Sequence, residues 1–182
     1  MSSPRLQYRR LRANDVSALC CYRSLPEVAR YQGWESFGPD DAARLIDSQR
    51  EAELGMPGTW FQLALIKQDT GELIGDCGLH CPPDDTRQIE MGITLSPDHQ
   101  GKGYASEAIG CLLAHLFDTR RIHRVFALTD AENTAVASLF KRLGFRQEAH
   151  LVEHGWFKGR WQSEYVFAQL RREWQTRSTA DC

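Results

Sequence analysis

The stretch Ile89-Glu-Met-Gly-Ile-Thr-Leu-Ser-Pro-Asp-His-Gln-Gly-Lys-Gly-Tyr-Ala-Ser-Glu-Ala-Ile109 reads as a strand, a glycine-bearing turn and the opening of a helix. Its first residues alternate, with Ile89, Met91, Ile93 and Leu95 on one face and Glu90, Gly92 and Thr94 on the other. After Gly103 the period lengthens, and Ala105, Ile109, Leu112, Leu113, Leu116 and Phe117 form one apolar stripe. Between strand and helix, Gly101 and Gly103 lack Cβ atoms, and the N–H groups of a first helical turn have no acceptor of their own. Together with the helix dipole, this suits an anion, to which Lys102 adds charge. The same residues also read as a plain strand-to-helix connection. Two nucleotide motifs are excluded here. Tyr104 stands where a P-loop needs Lys-Ser/Thr after its glycine, and Ser106 replaces the third glycine of a dinucleotide fingerprint.

Upstream of this segment, Leu6 to Leu11 predict a strand, followed by a helix that starts at Asn14-Asp15 and carries Val16, Leu19 and Tyr22. Pro39-Asp40-Asp41 opens a second helix, with acids at the positive end of its dipole and Ala42, Leu45, Ile46 and Gln49 at helical spacing. Trp60 to Lys67 and Leu73 to His80 predict a hairpin around Asp69-Thr-Gly-Glu72, and a third strand spans Gln88 to Leu95. Downstream come a strand at Arg124 to Thr129 and a helix capped by Asn133 and closed by Gly144. Two final strands, Arg146 to Phe157 and Trp161 to Leu170, meet at Lys158-Gly159-Arg160. The order βααβββαβαββ predicts one α/β domain over residues 1–174, followed by a polar tail, 175–182, that frays.

The chain has 182 residues and 42% hydrophobic content, enough for one domain with a full core. Lys and Arg total 22 against 24 Asp and Glu, which argues against a phosphate-tracking nucleic-acid surface. The longest apolar runs fall short of the roughly 18 residues of a membrane span. The charged start MSSPRLQYRR lacks a signal-peptide apolar region, so the expected address is cytoplasmic. Six cysteines in a chain of this length suit reduced core filler better than a disulfide framework.

Gln100-x-x-Gly103-x-Ala105 after a strand, joined to Asn133 and Leu139-Phe-Lys-Arg-Leu-Gly-Phe145, resembles the GNAT superfamily of acyl-CoA-dependent N-acyltransferases. The N-terminal strand and helices, Leu73 to His80 and the terminal hairpin resemble its RimJ/RimL-type branch. The resemblance implies a mixed, mostly antiparallel sheet that splays between the Ile89 and Arg124 strands, with the pantetheine arm of acetyl-CoA in the slot. It assigns the pyrophosphate to the turn of Gln100, Gly101, Lys102, Gly103, Tyr104 and Ala105. It gives the pantetheine arm to Asn133, with Phe140 beside it, and the thioester carbonyl to a backbone N–H near Ile93 or Leu95.

The implied reaction is direct attack by a primary amine on the thioester in a ternary complex. An alkylammonium has no lone pair at neutral pH, so a base is required. Glu90 is the candidate, directly or through water. In relatives a Tyr seven residues after the Asn, or a Ser three after it, protonates the leaving thiolate. Phe140 and Val136 hold those positions here, leaving Ser138 or water. A thiol leaves with a pKa of only about 8.5, so the missing acid is a modest loss. The departure also motivates a second reading, a CoA-binding sensor or interaction module without turnover.

For the acceptor, Trp34, Glu35 and Phe37, with Tyr31, Asp40 and Asp41 nearby, gather aromatics and acids suited to a cationic amine. A peptide α-amine and a small amine both fit. Cys77, His80 and Cys81 fail as a metal trio, because alternation sends His80 to one face and the cysteines to the other; no metal is expected. The terminal hairpin with Trp156, Phe157 and Trp161 leaves a homodimer open.

Overall fold

The computed structural model describes residues 1–180, with side chains through 177. Seven strands form one sheet in the order β1-β2-β3-β4-β5-β7-β6. They are β1 (Leu6–Arg10), β2 (Thr59–Lys67), β3 (Leu73–Cys81), β4 (Gln88–Leu95), β5 (Arg124–Asp130), β6 (Arg146–Phe157) and β7 (Arg160–Leu170). All neighbours are antiparallel except β4 and β5. That pair is parallel because a whole helix crosses over between its members, as parallel pairing demands.

The helices are α1 (Val16–Arg23), α2 (Pro26–Ala29), α3 (Pro39–Ser48), α4 (Tyr104–Ala114), α5 (Thr134–Arg142) and α6 (Arg171–Ala180). The period-two pattern of the strands sorts them into two layers. Ile89, Met91 and Leu95 of β4, with Cys77 and Leu79 of β3, pack beneath Ile109, Leu112 and Leu113 of α4 in the main core, which also takes in Leu139 and Phe140 of α5. On the opposite face Ala64 and Ile66 of β2 meet Leu19 and Tyr22 of α1, Val28 of α2 and Ala42 of α3 in a smaller core.

Element bounds agree with the expected order, with two additions. The four-residue α2 fits between α1 and α3, started by Pro26 at its first position. The polar tail is not frayed through residue 180: α6 occupies Arg171–Ala180, capped where the Glu173 carboxylate accepts from Leu170 N–H at 2.9 Å. Trp174 anchors it, its ring 6.0 Å from Phe117 and its Nε1 donating to Asp118. Residues 181–182 of the expected tail lie outside the described residues. Asp15 is also not a side-chain cap of α1; its carboxylate instead accepts from Arg12 N–H and pairs with Arg9.

Candidate active site

The parallel ladder between β4 and β5 has only three rungs, Gln88–Arg124, Ile89–Val125 and Glu90–Phe126. Beyond Glu90 the strands part, and a cleft of about 660 Å³ opens between them. Ile93, Thr94 and Leu95 of β4 form one wall, and Asn133, Val136 and Ser138 at the start of α5 form the other. The turn before α4 closes one end, and Val28 and Tyr31 beside α2 lie along another side.

At the closed end Gly101 and Gly103 both take left-handed backbone angles, φ 70° and 82°, which L side chains rarely adopt. Nothing stands within 4 Å of where a Gly101 Cβ would be, so a ligand can approach the backbone there. Glu107 N–H makes the first α4 hydrogen bond, onto the Gly103 carbonyl. The N–H groups of residues 102–106 precede it without a backbone acceptor. Gln100 holds the turn against β4 by donating from Nε2 to the Leu95 carbonyl at 3.0 Å. Arg5 sits across the turn, its guanidinium 4.3 Å from the Tyr104 ring centroid and donating to the Lys102 carbonyl.

The chain's residues fit a phosphorylated, pantetheine-bearing donor, with the exposed backbone of the turn suited to phosphate and the apolar wall of Ile93, Leu95, Val136 and Leu139 suited to an alkyl arm. Asn133 caps α5, its Oδ1 accepting from Val136 N–H at 3.3 Å, and its Nδ2 remains for a ligand in the same cleft. Two expected cofactor residues are placed elsewhere. Phe140 is buried in the core between Phe145 and Phe167, at centroid distances of 4.9 and 5.7 Å, because the apolar stripe of α5 turns it inward. Lys102 does not line the cleft and contributes only its backbone to the turn.

The expected acceptor residues are also redistributed. Trp34 and Phe37 stack on the Arg23 guanidinium, at 4.4 and 5.0 Å, so their faces serve a cation of this chain. Trp34 Nε1 also donates to the Arg23 carbonyl. Arg23 is buried against Asp76, which accepts in addition from Tyr22 and Gln62. Burial lowers the Arg23 pKa and the Asp76 charge more than reverses it, so the guanidinium is held above its ordinary value. Burial beside Asp76 likewise pushes the Tyr22 phenol well up. Glu35 is exposed and lines no part of the cleft, whereas Tyr31 does line it.

Glu90 stands on the last β4–β5 rung and on the face opposite α4; it does not line the cleft, whose β4 wall begins at Ile93. It is about three-quarters buried, and its Oε2 lies 3.3 Å from His80 Nδ1. Ser138 is exposed along the cleft wall. Cys77 and Cys81 lie buried on the α4 side, away from His80, and among the described residues no group of three or more His, Cys, Asp or Glu is gathered as for a metal.

Several cleft residues carry no motif that the sequence could announce. Glu27, Gln32, His99, Glu132 and Arg142 reach it from four separate segments, and only the topology brings them together.

Residues 5–146 match the model of the acetyltransferase (GNAT) domain. An uncharacterised N-acetyltransferase, p20 of Bacillus licheniformis, is 33% identical over 170 residues, 93% of this chain and 95% of that one. The [ribosomal protein uS5]-alanine N-acetyltransferase of Escherichia coli is 26% identical over 141 residues, 74% of this chain and 73% of its own. Among solved structures, a GNAT-family acetyltransferase from Bacillus anthracis superposes with a TM-score of 0.85 at 24% identity, covering 94% of this chain and 98% of that one. A Vibrio cholerae spermidine N-acetyltransferase in complex with CoA and spermine gives 0.79 at 24%, with the same coverage.

Proposed function

Since the chain belongs to the GNAT acetyltransferases and is an N-acetyltransferase, we propose that it moves the acetyl group of acetyl-CoA to a primary amine by direct attack in a ternary complex. The observation that carries this reading is the cleft itself, a splayed parallel strand pair with an anion-suited turn at one end and, on the rung where the strands part, a carboxylate outside the cleft lining. The acceptor is a protein N-terminal α-amine or a small amine. The uS5 acetyltransferase supports the first and the spermidine enzyme the second. The uS5 relative also supports a place in the RimJ/RimL-type branch, and five described cysteines that are all free suit a cytoplasmic setting.

In this mechanism the backbone of Gly101 to Ala105 holds the donor pyrophosphate, and Asn133 holds its pantetheine arm. An N–H near Ile93 or Leu95 receives the developing oxyanion, because these residues lie beyond the last β4–β5 rung. Glu90 serves amine deprotonation. Ser138 or water returns a proton to the thiolate, since Phe140 and Val136 cannot. The absent phenol is tolerable because a thiolate is a good leaving group.

The test is calorimetric titration with acetyl-CoA, followed by a thiol-release screen over peptide N-termini and polyamines. Acetyl-CoA is expected to bind and at least one amine class to release CoA. Glu90→Gln is expected to keep donor affinity while kcat/KM falls roughly 10²- to 10⁴-fold, the usual worth of an acid–base group. A wild-type rate in that variant removes Glu90 from the chemistry.

A further inference from the structure

Glu90 does not stand alone. The register places Trp60 of β2, His80 of β3, Glu90 of β4 and Phe126 of β5 side by side, and this row holds the rung at which β4 and β5 part. By strand alternation all four side chains leave the sheet on the face opposite α4. The Trp60 and His80 rings stack at 5.0 Å and 20°, and His80 Nδ1 meets the Glu90 carboxylate. A carboxylate at Nδ1 fixes the tautomer, so that Nδ1 carries the proton and Nε2 the lone pair. Among the described residues Nε2 makes no hydrogen bond, and about a fifth of the side chain is exposed.

The neighbouring row carries Gln62 of β2 and then two glycines. Gly78 and Gly92 are paired across β3 and β4, one alternation step from the His80–Glu90 rung on the same face. A Cβ on Gly78 would stand 3.0 Å from the Trp60 ring, so that glycine is what lets the indole lie flat and reach His80. Nothing stands within 4 Å of a Cβ at Gly92, and this position is exposed. Gly78 is buried beneath Trp60 and Gln62, so the open backbone beside the imidazole, whose free nitrogen is held in one tautomer, is that of Gly92. One row further, Thr94 faces Asp76, which is already saturated by Arg23, Tyr22 and Gln62.

We propose that His80 is the catalytic proton acceptor, taking the acceptor ammonium's proton at Nε2, with Glu90 as its positioning carboxylate, Trp60 as its stacked wall and the open backbone at Gly92 as the seat of the amine. The inference rests on the acetyltransferase reading above and refines its base. One proton passes from R–NH3⁺ to Nε2, and the freed lone pair forms the C–N bond. The C–S bond then breaks, and a second proton from the same nitrogen goes to the departing sulfur. The first proton leaves His80 for solvent. The sum is ammonium plus thioester giving amide, thiol and one H⁺. The imidazolium formed midway is stabilised by Glu90 and by the face of Trp60.

The charged groups near the pair are few. On β5, Arg124 lies over Phe126 and is paired to Glu148 of β6, and β2 contributes only Trp60 and Gln62.

The experiment uses the full-length protein with acetyl-CoA and an amine found by the screen. His80→Gln and His80→Ala are expected to lower kcat/KM 10²-fold or more with unchanged acetyl-CoA Kd. Added imidazole is expected to restore part of the His80→Ala rate. Gly92→Val, in ordinary strand backbone with open space, is expected to fold normally and raise acceptor KM about tenfold or more. Wild-type rates in the His80 variants, or a loss that added imidazole does not relieve, overturn the assignment of His80. A wild-type protein that binds no acetyl-CoA and releases no thiol overturns the acetyltransferase chemistry itself, and His80's role with it.

Discussion

Asp76 has no exposed side-chain surface and takes hydrogen bonds from Arg23, Tyr22 and Gln62, so a change there is felt through its partners. Asp76→Ala leaves the Arg23 guanidinium buried and unpaired, and urea unfolding is expected to show a loss of about 3–5 kcal/mol. The double variant Arg23→Met/Asp76→Leu removes both charges and is expected to recover most of it. At this scale the glycine turn was legible, since Gly101 and Gly103 sit at backbone angles that other residues avoid. Trp34 and Phe37 were not. Aromatics beside acids suggest a cationic guest, and nothing local reveals that Arg23 has already taken both rings. Arg23 itself reads as helix surface, because its carboxylate partner lies 53 residues away.

The helix α4 depends on a residue that the motif passes over. Glu107, in its first turn, accepts from Arg5 N–H, the Ser3 hydroxyl and the Arg5 guanidinium, tying the start of the chain to the cradle. Burial raises its pKa, but these donors outweigh it, and the net shift is downward. A depressed folded-state carboxylate contributes stability that is complete above the unfolded pKa near 4.3 and vanishes as pH falls through the lower folded value. Glu107→Gln is therefore expected to cost about 1.5 kcal/mol at pH 7. In thermal melts across pH, the gap to wild type should hold down to about 4.5 and close below it. A gap that persists at pH 2 would show that the carboxylate charge is irrelevant.

Element types and nearly all bounds were readable here, because α4, α5 and the strands each carry a strong period. The exceptions lacked one. The α6 segment is polar all round and is held by Trp174 and the Glu173 cap, both of which need a folded partner. Likewise α4 runs on as a π-helical turn, His115–Thr119, without any break in its apolar stripe.

Across the whole molecule, the β6–β7 turn reaches back to the N-terminal layer. Lys158 Nζ donates to the Ala29 carbonyl at 2.6 Å and to that of Trp34, on either side of Tyr31. Lys158→Met is expected to cost about 2 kcal/mol by urea titration. It is also expected to raise acceptor KM more than donor Kd, since α2 and Tyr31 border the cleft. Equal effects on both constants would place the acceptor elsewhere. The topology followed from the element order once the resemblance supplied the splay. No local signal, however, gives the rung at which β4 and β5 part, since that depends on strands meeting across 36 residues.

That seam is the shortest ladder in the sheet. It joins a four-stranded N-terminal plate to a three-stranded C-terminal one. Under tension applied across it, as between the tips of two optically trapped handles, the protein should fracture there first. The plates would separate as intact tiles while their own longer ladders held, because the opening that admits a ligand is also a notch where stress concentrates.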